Sequence, residues 1–110
     1  MRRGEVYWVN LDPVVGSEVG KRRPAIVVQN EAANRSSATV TVIPLTSSAK
    51  RVYPFQVLVP AGEAGLPNAS KALCEQVRTL SRKRLHEHIG TLSDDRLLEI
   101  RAALDRHLWL

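Results

Sequence analysis

Two stretches decide the fold: GKRRPAIVVQN, residues 20–30, and ATVTVIPLTSS, residues 38–48. The first sets Lys21, Arg22 and Arg23 directly before the near-continuous apolar run PAIVVQ, the pattern of a strand buried on both faces. The second alternates Val40 and Val42 against Thr39, Thr41 and Ile43, the pattern of a half-buried strand. Eight residues, NEAANRSS, join them and read as a loop. Paired antiparallel without a bulge, the hairpin is centred between Asn34 and Arg35, and Arg23 falls opposite Thr46. A charge beside a buried strand costs stability unless it faces water or an anion. The three cations are therefore either a solvated strand end or are aimed at something negative.

Further strands lie on both sides of this pair. EVYWVNL, residues 5–11, is aromatic and β-branched and ends at Asp12-Pro13. YPFQVLV, residues 53–59, places Phe55, Val57 and Val59 on one face, and KALCEQV, residues 71–77, alternates more weakly. Gly- and Ser-rich turns separate them. In SRKRLHEHI the spacing reads as a short helix or turn stopped by Gly90. Ser93 is a good N-cap, Asp94 and Asp95 favour the first turn, and Leu97, Ile100, Leu104 and Leu108 share a helical face with Leu98 beside them. The expectation is one domain over residues 1–110: mainly β, a small bent sheet or barrel closed by a C-terminal helix.

Composition narrows the partners. Hydrophobic residues make up 44% of the 110, enough for a core, and no apolar run approaches a membrane span. The start MRRGEVYWVN lacks the apolar stretch of a signal peptide, and the single cysteine, Cys74, fits a reducing cytoplasm. Thirteen basic and six acidic residues through Leu85 leave a surplus of +7, and the remainder carries a deficit of 2. Such a body suits a polyanion, nucleic acid before a membrane surface.

The expected pairing gathers Lys21, Arg22 and Arg23 with Thr46, Ser47 and Ser48 at one end of the sheet. Arginine offers a planar fork to two phosphate oxygens, and hydroxyls both donate and accept. Pro24 holds the backbone of Arg23 extended. The same residues also describe a charged strand end followed by a Ser-rich turn.

In order along the chain, RGEVYWVNLDP, GSE, KRRPAIVVQN, VTVIPLTSS, YPFQVLVP and CEQVRTLSRKRL resemble the MazF/PemK family of bacterial toxins. The resemblance implies an SH3-like small barrel of the CcdB/PemK type. It implies a homodimer, neutralised by an acidic MazE-like antitoxin, that cuts single-stranded RNA at short motifs without a metal or other cofactor. By position, Arg23 matches the catalytic arginine and Thr46 the catalytic threonine. Glu18 lies in the loop that covers the substrate, with Ser17 beside it. Gln76 and Arg78 match the strand that helps line the RNA groove. Ser47, Ser48, Tyr53 and Phe55 fall at the groove's edge, and Lys21 and Arg22 join the RNA-binding set. Some relatives place an arginine and an acid around the cysteine. Here Leu73 stands in the arginine's place while Glu75 keeps the acid, so the chemistry rests on Arg23 and Thr46.

The implied reaction is attack of a ribose 2′-OH on the adjacent phosphate, leaving a 2′,3′-cyclic phosphate and a 5′-OH. Arginine is a poor proton acceptor, and Glu18 serves as a base only where burial or neighbours tune it. His86, His88 and His107 lie far from Arg23 in sequence and read as surface or helix-packing residues. With one cysteine and no His-x3-His spacing they offer no metal-ligand set. Cys74 reads as a small core residue, Trp8 as core or dimer contact, and residues 81–85 as a solvated basic turn. Two other classes fit the same architecture: a non-enzymatic toxin that poisons a DNA topoisomerase, and a plain nucleic-acid-binding barrel. Aromatics at 5% are sparse for the latter.

Overall fold

The two deciding stretches pair as their numbering requires. In the computed structural model, which describes residues 1–109, β1 is Glu5–Asn10, β2 is Arg22–Val27 and β3 is Thr39–Thr46. β2 and β3 run antiparallel with Ala25 opposite Pro44, Ile26 opposite Ile43 and Val27 opposite Val42. β1 lies along the other edge of β2, with Trp8 opposite Pro24 and Val9 opposite Arg23. β3 is the longest strand, and its second edge takes two short strands in line. β6 (Arg78–Ser81) pairs with its first half and β5 (Ser70–Ala72) with its end. β4 (Val57–Val59) flanks β5, and β7 (Leu85–Thr91) flanks β1. The sheet order is β4-β5-β3-β2-β1-β7, with β6 beside β3. This is the expected barrel-like architecture, although β4 and β7 do not pair to close it.

Both faces of the β2–β3 pair are covered. Val6, Ile26, Ile43 and Leu45 pack on one face with Ile100 and Ala103 of α2, the C-terminal helix Asp94–Leu108. Val9, Ala25, Val27, Val40 and Val42 pack on the other, with Val19 of the β1–β2 loop against them. Ile43, expected on a half-exposed face with Thr39 and Thr41, is fully buried because that face meets the α2 side of the core. Ser93 caps α2 by accepting from the Arg96 N–H at 3.2 Å. Ile100 is buried, Leu97 and Leu104 are half-buried, and Leu98 and Leu108 are exposed.

Four expectations of local structure change. The linker read as a loop contains α1, Glu31–Ser36, because the Asn30 side chain accepts from the Ala33 N–H at 2.9 Å and starts a turn. Residues 53–59 are strand only from Val57, since Gln56 ties back to Tyr53 in a turn. Residues 71–77 break after Ala72 into a 3-10 turn, Cys74–Gln76. The stretch before Gly90 is not helical: after a 3-10 turn at Arg82–Arg84 it is β7.

Gly90 therefore serves close approach rather than helix termination. A Cβ there would lie 2.4 Å from the carbonyl carbon and oxygen of Ala64, which are backbone atoms with nowhere to go. Gly90→Ala is expected to destabilise the fold by about 1–3 kcal/mol, the usual cost of overpacking. Denaturant unfolding checks it, and an unchanged midpoint would show that the Glu63–Gly65 turn moves aside freely.

Candidate nucleic-acid interface

Residue parity puts the expected catalytic pair on one face of the sheet. Arg23 faces the same way as Val9, its partner across β1. Thr46 faces the same way as Pro44 and Val42, and so does Arg78, which pairs with Val42. The β2–β3 ladder ends at Ala25 and Pro44, and Arg23 and Thr46 each lie two residues beyond that pair.

The Arg23 Nε donates to the Gly20 carbonyl at 2.9 Å. Among the described residues its two terminal nitrogens donate to no group and no carboxylate lies within ion-pair distance. The guanidinium is aimed by its inner nitrogen and keeps its outer fork open. Thr46 Oγ1 accepts from the Ser48 N–H at 3.2 Å, which bends the chain out of β3 and keeps the hydroxyl hydrogen free to donate. Arg22, Arg23, Trp8, Pro24 and Ser47 line a depression of about 220 Å³.

The loop between β1 and β2 is pinned over this face at both ends. The Val19 N–H donates to Gln76 Oε1 at 2.8 Å, and Arg78 Nη2 donates to the Val19 carbonyl and to Gln76 Oε1, both at 3.0 Å. Lys21 closes the loop: its N–H donates to Asp12 Oδ1 at 2.9 Å and its carbonyl accepts from the Leu11 N–H at 2.9 Å. Lys21 holds a left-handed φ of 67°, strained for a side chain but secured by both bonds. A Cβ at Gly20 would stand 2.6 Å from Asp12 Oδ1, so that side chain, which holds the Lys21 N–H, would have to shift. Glu18 accepts from the Val15 N–H at 2.6 Å and stays exposed. Ser17, Glu18, Gln76 and Arg78 line a second depression, of about 370 Å³.

Nine of the expected residues fall into three groups, while Lys21, Thr46 and Ser48 line neither depression. Arg23 and Ser47 share one depression with Arg22, whereas Ser17, Glu18, Gln76 and Arg78 share another. Tyr53 and Phe55 stand apart as a parallel stacked pair, 5.5 Å between ring centres. Arg22, expected in the RNA-binding set, bonds Glu87 at 3.0 Å in an exposed pair and lies over the Trp8 ring at 5.6 Å. The basic turn at residues 81–85 is structural rather than simply solvated. Arg82 donates to the carbonyls of Ala33 and Asn34, and Arg84 to those of Asn10 and Asp12.

His86 and His88 lie on β7 and His107 on α2, all exposed. No cluster of three His, Cys, Asp or Glu side chains able to hold a metal occurs among the described residues. Cys74 is fully buried, and burial with the neighbouring Glu75 charge pushes its thiol up to about 12. Trp8 is half-buried at the rim of the Arg23 depression.

Sequence reasoning set aside one neighbour of the site, Glu75, and missed another, Lys71. Glu75 lines the second depression, accepts from Gln56 Nε2 at 2.7 Å, and leaves Oε1 buried without a partner. Lys71 pairs across the sheet with Thr46. Only the β3–β5 register exposes that relation, since 25 residues separate the two in sequence.

Fold and site together define a small bent-sheet protein that presents an open guanidinium fork and hydroxyls at one strand end, as anion-binding barrels do. The chain belongs to the PemK-like, MazF-like toxin family of type II toxin–antitoxin systems, whose model matches residues 2–108. It is 44% identical over 113 residues to endoribonuclease MazF9 of Mycobacterium tuberculosis, covering 98% of this chain and 96% of that one. It is 40% identical over 111 residues to endoribonuclease MazF of Staphylococcus epidermidis, covering 100% and 92%. Among solved structures, MazF of Deinococcus radiodurans superimposes with a TM-score of 0.88 at 34% identity, covering 100% and 97%. A MazE–MazF complex from the same organism gives 0.77 at 32%, covering 98% and 94%.

Two outcomes test this geometry. Gln76→Ala removes the anchor shared by Val19 and Arg78, and should speed proteolytic nicking within residues 13–21 several-fold with little change in global melting. An unchanged nicking rate would show that the loop holds itself. Cys74 should resist alkylation at pH 8 in the native protein and react at once in denaturant, because its thiolate is scarce and enclosed.

Proposed function

We propose that this chain is the toxin of a type II toxin–antitoxin system and works as a sequence-specific, ribosome-independent endoribonuclease on single-stranded RNA, mRNA above all. One observation carries the reading: Arg23 is oriented by the Gly20 carbonyl yet keeps its outer fork unpaired among the described residues, on the sheet face it shares with Thr46. A guanidinium so held keeps its outer N–H donors available to an incoming anion.

The chemistry follows from that arrangement. Arg23 binds the non-bridging oxygens of the scissile phosphate and meets the charge that builds there as the adjacent 2′-OH attacks. Thr46 orients the 2′-OH or the phosphate through its hydroxyl. The attack forms the 2′-O–P bond and breaks the P–O5′ bond, giving a 2′,3′-cyclic phosphate and a 5′-OH. The 2′ proton passes to a base and the leaving oxygen takes one up. Glu18, tied to its own loop and lining a different depression from Arg23, would have to swing to act as that base. In-line alignment of the 2′-OH supplies much of the rate. Ser17, Lys21, Ser48, Gln76 and Arg78 extend the RNA path around the loop, and Tyr53 and Phe55 offer it an aromatic edge. No metal or other cofactor has a role in this scheme.

The partners follow the same charge logic. A cognate acidic antitoxin would occupy the region around Arg23 and exclude RNA, and the solved relatives that include MazE–MazF complexes support that reading. The protein would act as a homodimer in the cytoplasm, arresting growth when its antitoxin is lost. The exposed apolar side chains Leu98, Leu108 and Trp109 favour a second copy. Among the described residues no helix is long and apolar enough to cross a membrane.

The decisive assay incubates the pure protein with a long RNA in EDTA. Cuts at a short recurrent motif, with 5′ ends that accept kinase label without prior phosphatase, are expected. Complete loss of cutting in EDTA, restored by a divalent ion, would contradict the scheme. Arg23→Ala should lower cleavage by about 100- to 1,000-fold, the usual worth of one transition-state donor, with a native-like melting curve. Arg23→Lys should also be poor, since a point charge cannot reproduce the fork.

A further inference from the structure

Thr46 has a cation on each neighbouring strand, and only one of them, Arg23, belongs to the site described above. β5 pairs antiparallel with β3, with Lys71 opposite Thr46 and Ala72 opposite Leu45. Residues directly opposed in an antiparallel pair share a face of the sheet, their Cβ atoms about 4.5–5.5 Å apart. Arg23 lies on that same face of β2, two residues past Ala25, where the β2–β3 ladder ends. Thr46 and Lys71 are thus directly opposed, and Arg23 stands further along the face they share.

We propose that Lys71 is a second phosphate-binding residue, gripping the RNA backbone on the side of Thr46 away from Arg23. The inference rests on the endoribonuclease reading and extends it to the path of the strand. Three features of Lys71 support it. Its Nζ donates to the Arg51 carbonyl at 2.7 Å, which fixes the ammonium and leaves two of its three N–H groups for another acceptor. It pairs with no carboxylate among the described residues. It also lies 5.9 Å from the Tyr53 ring centre, with the Arg51 guanidinium 5.4 Å from the same ring. Lys71, Arg51 and Tyr53 thus form a cationic and aromatic ledge that begins one strand beyond Thr46. A backbone whose scissile phosphate sits between Arg23 and Thr46 would reach this ledge with a neighbouring phosphate. Arg22, by contrast, is committed to Glu87.

The competing explanation is structural: Lys71 serves only to tie the Arg51 carbonyl to the sheet. The test separates the two. The motif is read first from wild-type cuts on a long RNA. A short RNA carrying that motif, blocked by a 2′-deoxy residue at the scissile position, is then titrated across a range of salt. Wild type, Lys71→Met, Lys71→Gln and Lys71→Arg are compared. Gln can still donate to the Arg51 carbonyl but carries no charge, so it carries the comparison if Lys71→Met fails to fold. The neutral variants should bind about two- to fivefold more weakly, the worth of one exposed ion contact. Their log-affinity against log-salt slope should fall by about 0.7, one phosphate contact on a single strand. Lys71→Arg should restore both. A single uncharged methylphosphonate placed at successive linkages should weaken wild-type binding at one position flanking the scissile bond and have no effect there in Lys71→Gln. A wild type that cuts, with Lys71→Gln binding at unaltered affinity, slope and methylphosphonate profile, overturns the Lys71 assignment alone. A wild type that neither cuts nor binds RNA overturns the endoribonuclease reading and this one with it.

Discussion

The antiparallel register of β2 on β3 is the constraint on which the rest depends. Because both faces of this pair are buried, a slip by one residue would put Ile26 and Ile43 on opposite faces, and Val27 and Val42 likewise, so that neither face kept its apolar set. The same slip would send Arg23 and Thr46 to opposite faces. The core and the candidate site are therefore specified by one pairing, and the apolar side chains that enforce it need no knowledge of the chemistry. β5 inherits the register from β3, which is how Lys71 comes to stand beside Thr46.

Around that pairing the charges divide by use. Arg22 and Arg96 are matched by carboxylates, and Arg82 and Arg84 cap backbone carbonyls. Arg23, Lys71 and Arg78 instead donate to neutral carbonyl or amide groups, which orient a cation without neutralising it. Carbonyls thus hold the donors in place while their charge stays available to a polyanion. The β1–β2 loop follows the same pattern: Gln76 fixes Val19, Asp12 fixes Lys21, and the loop's outer tip, with Val15 81% exposed, faces solvent.

Much of this was legible in the sequence, for reasons that can be named. The β2–β3 register followed from two apolar runs and the length of their linker, and α2 followed from its cap and leucine spacing. The family segments marked Arg23, Thr46, Gln76 and Arg78. What escaped was what depends on contacts remote in sequence. Gly90 resembled a helix stop because its reason for being glycine is Ala64, on a different turn. The strand through Cys74 broke because a 3-10 turn lets β5 and β6 both track β3. Arg22 looked as free as Arg23 until Glu87 came beside it on β7. A six-residue helix carried too little periodicity to distinguish the α1 segment from a loop.

The central claim is that the open fork of Arg23 receives the scissile phosphate beside Thr46. A crystal structure with an RNA blocked by 2′-deoxy at the cut site tests it most directly. The account predicts phosphate oxygens about 2.7–3.1 Å from the Arg23 terminal nitrogens, with the cut-site ribose against Thr46 and the Nε–Gly20 bond retained. RNA seated elsewhere, with the Arg23 fork still empty, would contradict it.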